Sequence, residues 1–239
     1  MEITDGVLEY LEGKNFSTGA RFKITYPEKK LQDRISLILD IVKGKRIIDL
    51  GCTDHLEIID SKLLSNTWLH KRVCEVASLC IGIDVNREAV EYVRSRGYQD
   101  VFSYDILEDK DLILRYNQHY DILLAGEVIE HLDNPILFLS MLRESYKDNV
   151  DYLLVTAPNA FSGWNFIYTF KGQEVINTDH RYYFTFYTLA KILTLSGFKP
   201  IEFWLVNSAK PRKFYSKLLF TYLPGFRSKI IMLSSFKGV

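Results

Sequence analysis

Short apolar runs that stop at an acid or a glycine, with helical stretches between them, constrain the fold of this chain more than any other feature. Lys45 to Gly51 reads Lys-Arg-Ile-Ile-Asp-Leu-Gly, and Leu79 to Asp84 reads Leu-Cys-Ile-Gly-Ile-Asp. Such runs read as strands buried on both faces. Further runs lie at Val101 to Tyr104, Tyr120 to Ala125 and Asp151 to Thr156. Between them the period changes. Leu31, Ile35, Ile38 and Val42 recur at helical spacing up to Gly44, and a helical stretch continues through Leu69, Val73 and Val76. Arg87 to Arg96 reads as a helix ended by Gly97, and another is expected from about Pro135 to Tyr146. This alternation predicts an α/β fold with a doubly wound parallel sheet and helices on both faces.

After Pro158 the alternation pauses. Asn159 to Tyr187 is crowded with aromatic residues and too irregular for one element, so residues 158–187 read as an insert at the carboxyl end of a strand. In open α/β sheets that edge is where ligands bind. Thr188 to Ser196 then reads as a helix, Pro200 to Val206 as a strand, and Lys229 to Phe236 as a last strand after a basic helical segment. No linker or repeat divides the chain, so residues 1–239 are expected to form one domain.

Lys plus Arg and Asp plus Glu are balanced at 30 each, which removes the overall field that would favour nucleic acid. The distribution is less even. From Phe203 to Val239 there are no acids, while Lys210, Arg212, Lys213, Lys217, Arg227, Lys229 and Lys237 are basic. That segment could meet an anionic partner or a membrane surface, although Phe214, Leu218, Leu219 and Phe220 at helical spacing read first as core. Cys52, Cys74 and Cys80 show no metal-ligand spacing and are odd in number, which suits reduced thiols in a cytoplasmic protein. No cationic-then-apolar start and no apolar run of about 18 residues is present, so neither export nor membrane spanning is expected.

The expected strand ends carry Asp49 and Gly51, Asp84, Asp105, and Gly126 with Glu127. A pyrophosphate would need a Gly-x-Gly-x-x-Gly turn, and Asp54 in Gly51-Cys52-Thr53-Asp54-His55 would repel it. A positively charged sulfonium nucleotide gains from nearby carboxylates. Just beyond lies Gly126-Glu127-Val128-Ile129-Glu130-His131-Leu132-Asp133-Asn134-Pro135, which puts two carboxylates and an imidazole next to a buried strand. Such charges must be paired, bound to metal or used in chemistry. The bland alternative is an i, i+4 pair of Glu127 with His131 ahead of a helix capped by Asp133 or Asn134.

With these residues the chain resembles the class I S-adenosylmethionine-dependent methyltransferases, from about Ile41 to Phe236. Ile47 to Gly51, Ile83-Asp84, Tyr104-Asp105-Ile106 and Tyr120 to Pro135 match the family's four motifs in order, although Cys52 to His55 lacks its further glycines. The resemblance implies a Rossmann-like, seven-stranded sheet with the last strand antiparallel. It also implies S-adenosyl-L-methionine as cofactor, with Asp84 on the ribose, Asp105 near the adenine, and Gly51 near the methionine part. Asp49 and Glu127 complete the expected cofactor set. Glu-x-x-Glu-His followed by Asp-Asn-Pro looks like the ubiquinone-type O-methyltransferases and, more distantly, the small-RNA 2′-O-methyltransferases. That likeness implies a divalent metal on Glu127, Glu130, His131 and the downstream His180, with Glu130, His131 and His180 on the acceptor side. Trp68-Leu69-His70-Lys71 looks like bacterial methyltransferases of polysaccharide synthesis, so a glycan hydroxyl or another small-molecule hydroxyl is the expected acceptor. The competing expectation is a catalytically inactive Rossmann-like binding or scaffold module.

Overall fold

The computed structural model describes all residues except 1, 2, 4, 23–30, 109, 118, 212, 238 and 239. In chain order the α-helices are α1 (Asp5–Leu11), α2 (Arg34–Val42), α3 (Leu56–Leu64), α4 (Leu69–Cys74), α5 (Arg87–Ser95), α6 (Lys110–Leu114), α7 (Pro135–Tyr146), α8 (Gly163–Phe170), α9 (Phe186–Leu195) and α10 (Phe214–Tyr222). The strands are β1 (Arg46–Leu50), β2 (Leu79–Asp84), β3 (Val101–Ser103), β4 (Tyr120–Gly126), β5 (Val150–Pro158), β6 (Lys199–Val206) and β7 (Lys229–Ser235). They form one sheet in the order β3-β2-β1-β4-β5-β7-β6, with β7 antiparallel to both neighbours. The expected α/β architecture, with an antiparallel last strand, is therefore present.

Alternation along the strands builds two layers. Ile48, Leu50, Leu123, Leu153 and Val155 face one core with Leu142 and Tyr146 of α7 and Leu189 and Leu193 of α9. Ile47, Ile122, Leu124 and Leu154 face the other with Leu37, Ile38 and Val42 of α2 and Val73 of α4. Helix starts follow the sequence: Asp33, Asn86 and Asn134 accept from the backbone at Ser36, Ala89 and Leu137, each contributing about 1 kcal/mol. Pro135 takes the first position of α7, where its missing N–H costs nothing.

Two helical expectations change. The stretch after Gly51 is broken into α3 and α4 by a turn at Asn66, whose φ of 56° a helix cannot contain. The helix expected from Leu31 starts only at Arg34, because Asp33 is extended and caps it, and residues 23–30 before it lie outside the described set. Among the described residues, no helix is long and apolar enough to cross a membrane.

The parallel strands and the start of β7 bring Gly51, Asp84, Gly126, Pro158, Val206 and Lys229 to one edge of the sheet. Asn207 joins that edge to α2, pairing with Asp33 and accepting from the Arg34 N–H at 2.8 Å.

Candidate active site

At the end of β4 the backbone turns sharply. Glu127 has φ 63°, rare for a residue with a side chain, and is followed by a 3-10 turn at Ile129–His131. The i, i+4 pair of Glu127 with His131 therefore does not form. Glu127 instead meets Lys229 at the start of β7 and accepts from Thr156 Oγ at 3.0 Å, with Arg34 4.0 Å away. Burial pushes its pKa up, but Lys229 and Arg34 outweigh burial and hold it below the usual value. Glu127 is thus a paired carboxylate, and it sits in this cationic network instead of joining the imidazoles.

Glu130 takes the other direction. It is 0% exposed, and neither carboxylate oxygen has a hydrogen-bond partner. Its neighbours are His131 and His180: ligand atoms of the three lie within 4.8 Å of one another, and His180 Nε2 is 4.0 Å from Glu130. The imidazoles meet edge to face at 4.7 Å. His180 arrives from the aromatic segment, which is stitched down next to it: the Arg181 N–H donates to the Glu130 carbonyl at 2.8 Å, its guanidinium pairs with Asp133, and Tyr182 donates to the Asp133 carbonyl at 2.9 Å. Burial, reinforced by the Glu127 charge, raises the Glu130 pKa to about 8. Burial, then His131, lowers that of His180, whose Nδ1 also has no partner.

A carboxyl raised in this way binds its proton more tightly folded than unfolded. In metal-free protein its stabilising contribution is complete at low pH and lost as pH rises towards about 8. Wild type is expected to lose stability relative to Glu130→Gln by about 1 kcal/mol per pH unit across that window. Denaturant unfolding in chelating buffer checks this, and a gap that does not change with pH would contradict it.

On the other half of the edge, Asp84 accepts from Thr53 N–H at 3.0 Å, Thr53 Oγ at 2.7 Å and Asn86 N–H at 2.9 Å. Thr53 thus holds the turn after β1 against the second strand, where further glycines were lacking. Oδ2 already accepts both Thr53 bonds and Oδ1 only the Asn86 bond, so Oδ1 keeps acceptor capacity for a ribose hydroxyl. Asp105 is bonded locally to Leu107 N–H at 2.9 Å. Gly51 has φ 66°, and a Cβ there would stand 2.6 Å from Val128 Cγ2. Gly51→Ala should therefore cost about 2 kcal/mol, seen as a lower thermal midpoint. An unchanged midpoint would mean that this close approach imposes no constraint.

The comparisons with known proteins bear on the family and the fold. A model of a methyltransferase domain matches residues 24–202. The chain belongs to the methyltransferase-domain family. Its fold is that of the class I S-adenosylmethionine-dependent methyltransferases. It is similar to the small RNA methyltransferase HEN1 (TM-score 0.55, 18% identity), covering 91% of this chain but only 27% of that one. It is also similar to the magnesium protoporphyrin IX methyltransferase of Synechocystis PCC 6803, solved with bound SAH (TM-score 0.54, 13% identity, 84% and 81% covered). A third relative is an S-adenosylmethionine-dependent methyltransferase from Archaeoglobus fulgidus (TM-score 0.50, 17% identity, 84% and 91% covered). No curated protein matches the sequence.

Within this methyltransferase, Asp49 departs from the cofactor edge. Alternation turns it into the layer beneath α4, where it is 2% exposed and lies 2.9 Å from His70 Nδ1. Burial opposes a charge on His70, but Asp49 and Cys74 outweigh it and raise its pKa to about 10. Cys74 and Cys80, which showed no ligand spacing, come together with His70 because α4 folds back onto β2. Arg34, Thr156 and Lys229 also escaped the sequence reading: no local pattern shows that a helix start and a last strand converge on Glu127.

Proposed function

We propose that this methyltransferase moves a methyl group from S-adenosylmethionine to a hydroxyl of a small molecule or glycan, with Glu130, His131 and His180 on the acceptor side. The observation that carries the reading is Glu130: a fully buried carboxylate with two unpartnered oxygens, facing two imidazoles. A group in that state is either neutral or completed by a ligand. One carboxylate and two imidazoles suit Mg, Mn, Fe or Zn, and a bound ion would supply Lewis-acid help in ionising the hydroxyl.

The chain's own residues account for the remaining steps. Asp84 and Asp105 would hold the nucleoside, and Gly51 would let the backbone approach the methionine part. Methyl transfer is an in-line displacement, so the edge works mainly by alignment. His180, kept neutral by burial and by His131, accepts the hydroxyl proton. The Glu127, Lys229 and Arg34 network fixes the turn that carries Glu130.

The aromatic segment at 158–187 would cover the acceptor and exclude water. Beside it, α10 exposes Phe214 (80%), Tyr215, Leu218 and Tyr222 alongside Lys213 and Lys217, although Phe214 and Leu218 were expected in the core. α8, which exposes Trp164, Ile167 and Phe170, packs near α10 through Phe166 on Phe226. A basic, aromatic surface next to the acceptor side favours a lipid-linked glycan met at a membrane from the cytoplasmic side. The likeness to HEN1 and the Glu-x-x-Glu-His pattern support RNA as the second reading. Incubation with S-adenosylmethionine, a divalent metal and glycan, phenol or RNA acceptors tests both. An O-methylated glycan or phenol supports the proposal, and methylation of RNA alone overturns it.

A further inference from the structure

We propose that His70, Cys74 and Cys80 form a binding site for a thiophilic metal ion of the zinc type, separate from the acceptor side. The three ligand atoms lie within 4.8 Å of one another, with Cys74 Sγ 3.5 Å from His70 Nε2. His70 and Cys74 share one face of α4 at i and i+4, and Cys80 stands on β2 beneath them. The layer around them is built for this set. Gly82, opposite Asp49 in the β1–β2 register, has no side chain where a Cβ would stand 2.7 Å from both His70 Cε1 and Cys52 Sγ.

Asp49 supplies the second observation. A carboxylate only accepts, so His70 Nδ1, 2.9 Å from it, carries a proton, while Nε2 faces Cys74 Sγ at 3.5 Å and Cys80 Sγ lies 3.9 Å from Nδ1 on the same ring. This carboxylate–histidine arrangement is the one that orients imidazole ligands towards zinc. Binding releases the ligand protons, and two thiolates with one imidazole leave a fourth tetrahedral position. Cys74 is exposed, which gives the ion its route and that position its solvent. The ion would tie α4 to β2, with Asp49 of β1 behind His70, outside the acceptor chemistry.

Cobalt(II) titrated into the full, chemically reduced chain reports on sulfur ligation through thiolate-to-metal charge-transfer absorption. The proposal predicts one such site per chain, bleached by zinc, lost in Cys74→Ser and in Cys80→Ser, and retained in Glu130→Gln. Zinc should also raise the thermal midpoint of Glu130→Gln, in which the acceptor-side cluster lacks its carboxylate, and adding Cys74→Ser to that variant should abolish the rise. Cys74 is exposed, so this variant keeps the test valid even where Cys80→Ser fails to fold. Cobalt binding without charge-transfer absorption, or absorption that survives Cys74→Ser, would overturn the site.

Discussion

Glu130→Gln is expected to lower methyl transfer by about 10²-fold or more, with S-adenosylhomocysteine affinity unchanged. Glutamine keeps the volume of the side chain, so the turn at Ile129–His131 and its packing survive. What is lost is the ionisable carboxylate beside His131 and His180. A wild-type rate in Glu130→Gln, measured with an acceptor identified by the panel above, would remove the cluster from the chemistry.

The second large effect concerns the donor. Asp84→Ala should weaken S-adenosylhomocysteine binding by about 10- to 10²-fold, because a charge-assisted hydrogen bond to the ribose is worth about 1.5–3 kcal/mol. The same change frees Thr53 and Asn86 from the carboxylate, so a fall in stability is expected as well. Asp84→Asn separates the two effects. It keeps one acceptor oxygen for the turn while removing the charge, so its stability should recover more than its affinity. Unchanged affinity in both variants would place the nucleoside elsewhere.

Much of this was legible in the chain because strand and helix carry local signatures. The apolar runs at Arg46, Leu79 and Tyr120 are buried strands, and Asn134-Pro135 starts a helix where capping chemistry says it should. The approach of His180 to Glu130 and His131 was expected from a motif likeness, and the fold brings them together across 49 residues of chain. What failed to show was direction. A single backbone angle at Glu127 sends its carboxylate to Lys229 and Arg34, and strand alternation turns Asp49 inward to His70. Neither follows from residue type or spacing, because both depend on which face of the sheet a neighbour from distant sequence occupies. The exposure of Phe214 and Leu218 was missed for a related reason, since helical periodicity identifies a face without saying what covers it.

The most direct measurement is calorimetric titration of S-adenosylhomocysteine into wild type and Glu130→Gln, each in chelator and in manganese. The account predicts equal cofactor affinity in the two proteins, with manganese heat at the acceptor-side cluster in wild type alone. Absence of cofactor binding to wild type, or weaker binding in Glu130→Gln, would contradict the division of this edge into a donor half at Asp84 and an acceptor half at Glu130.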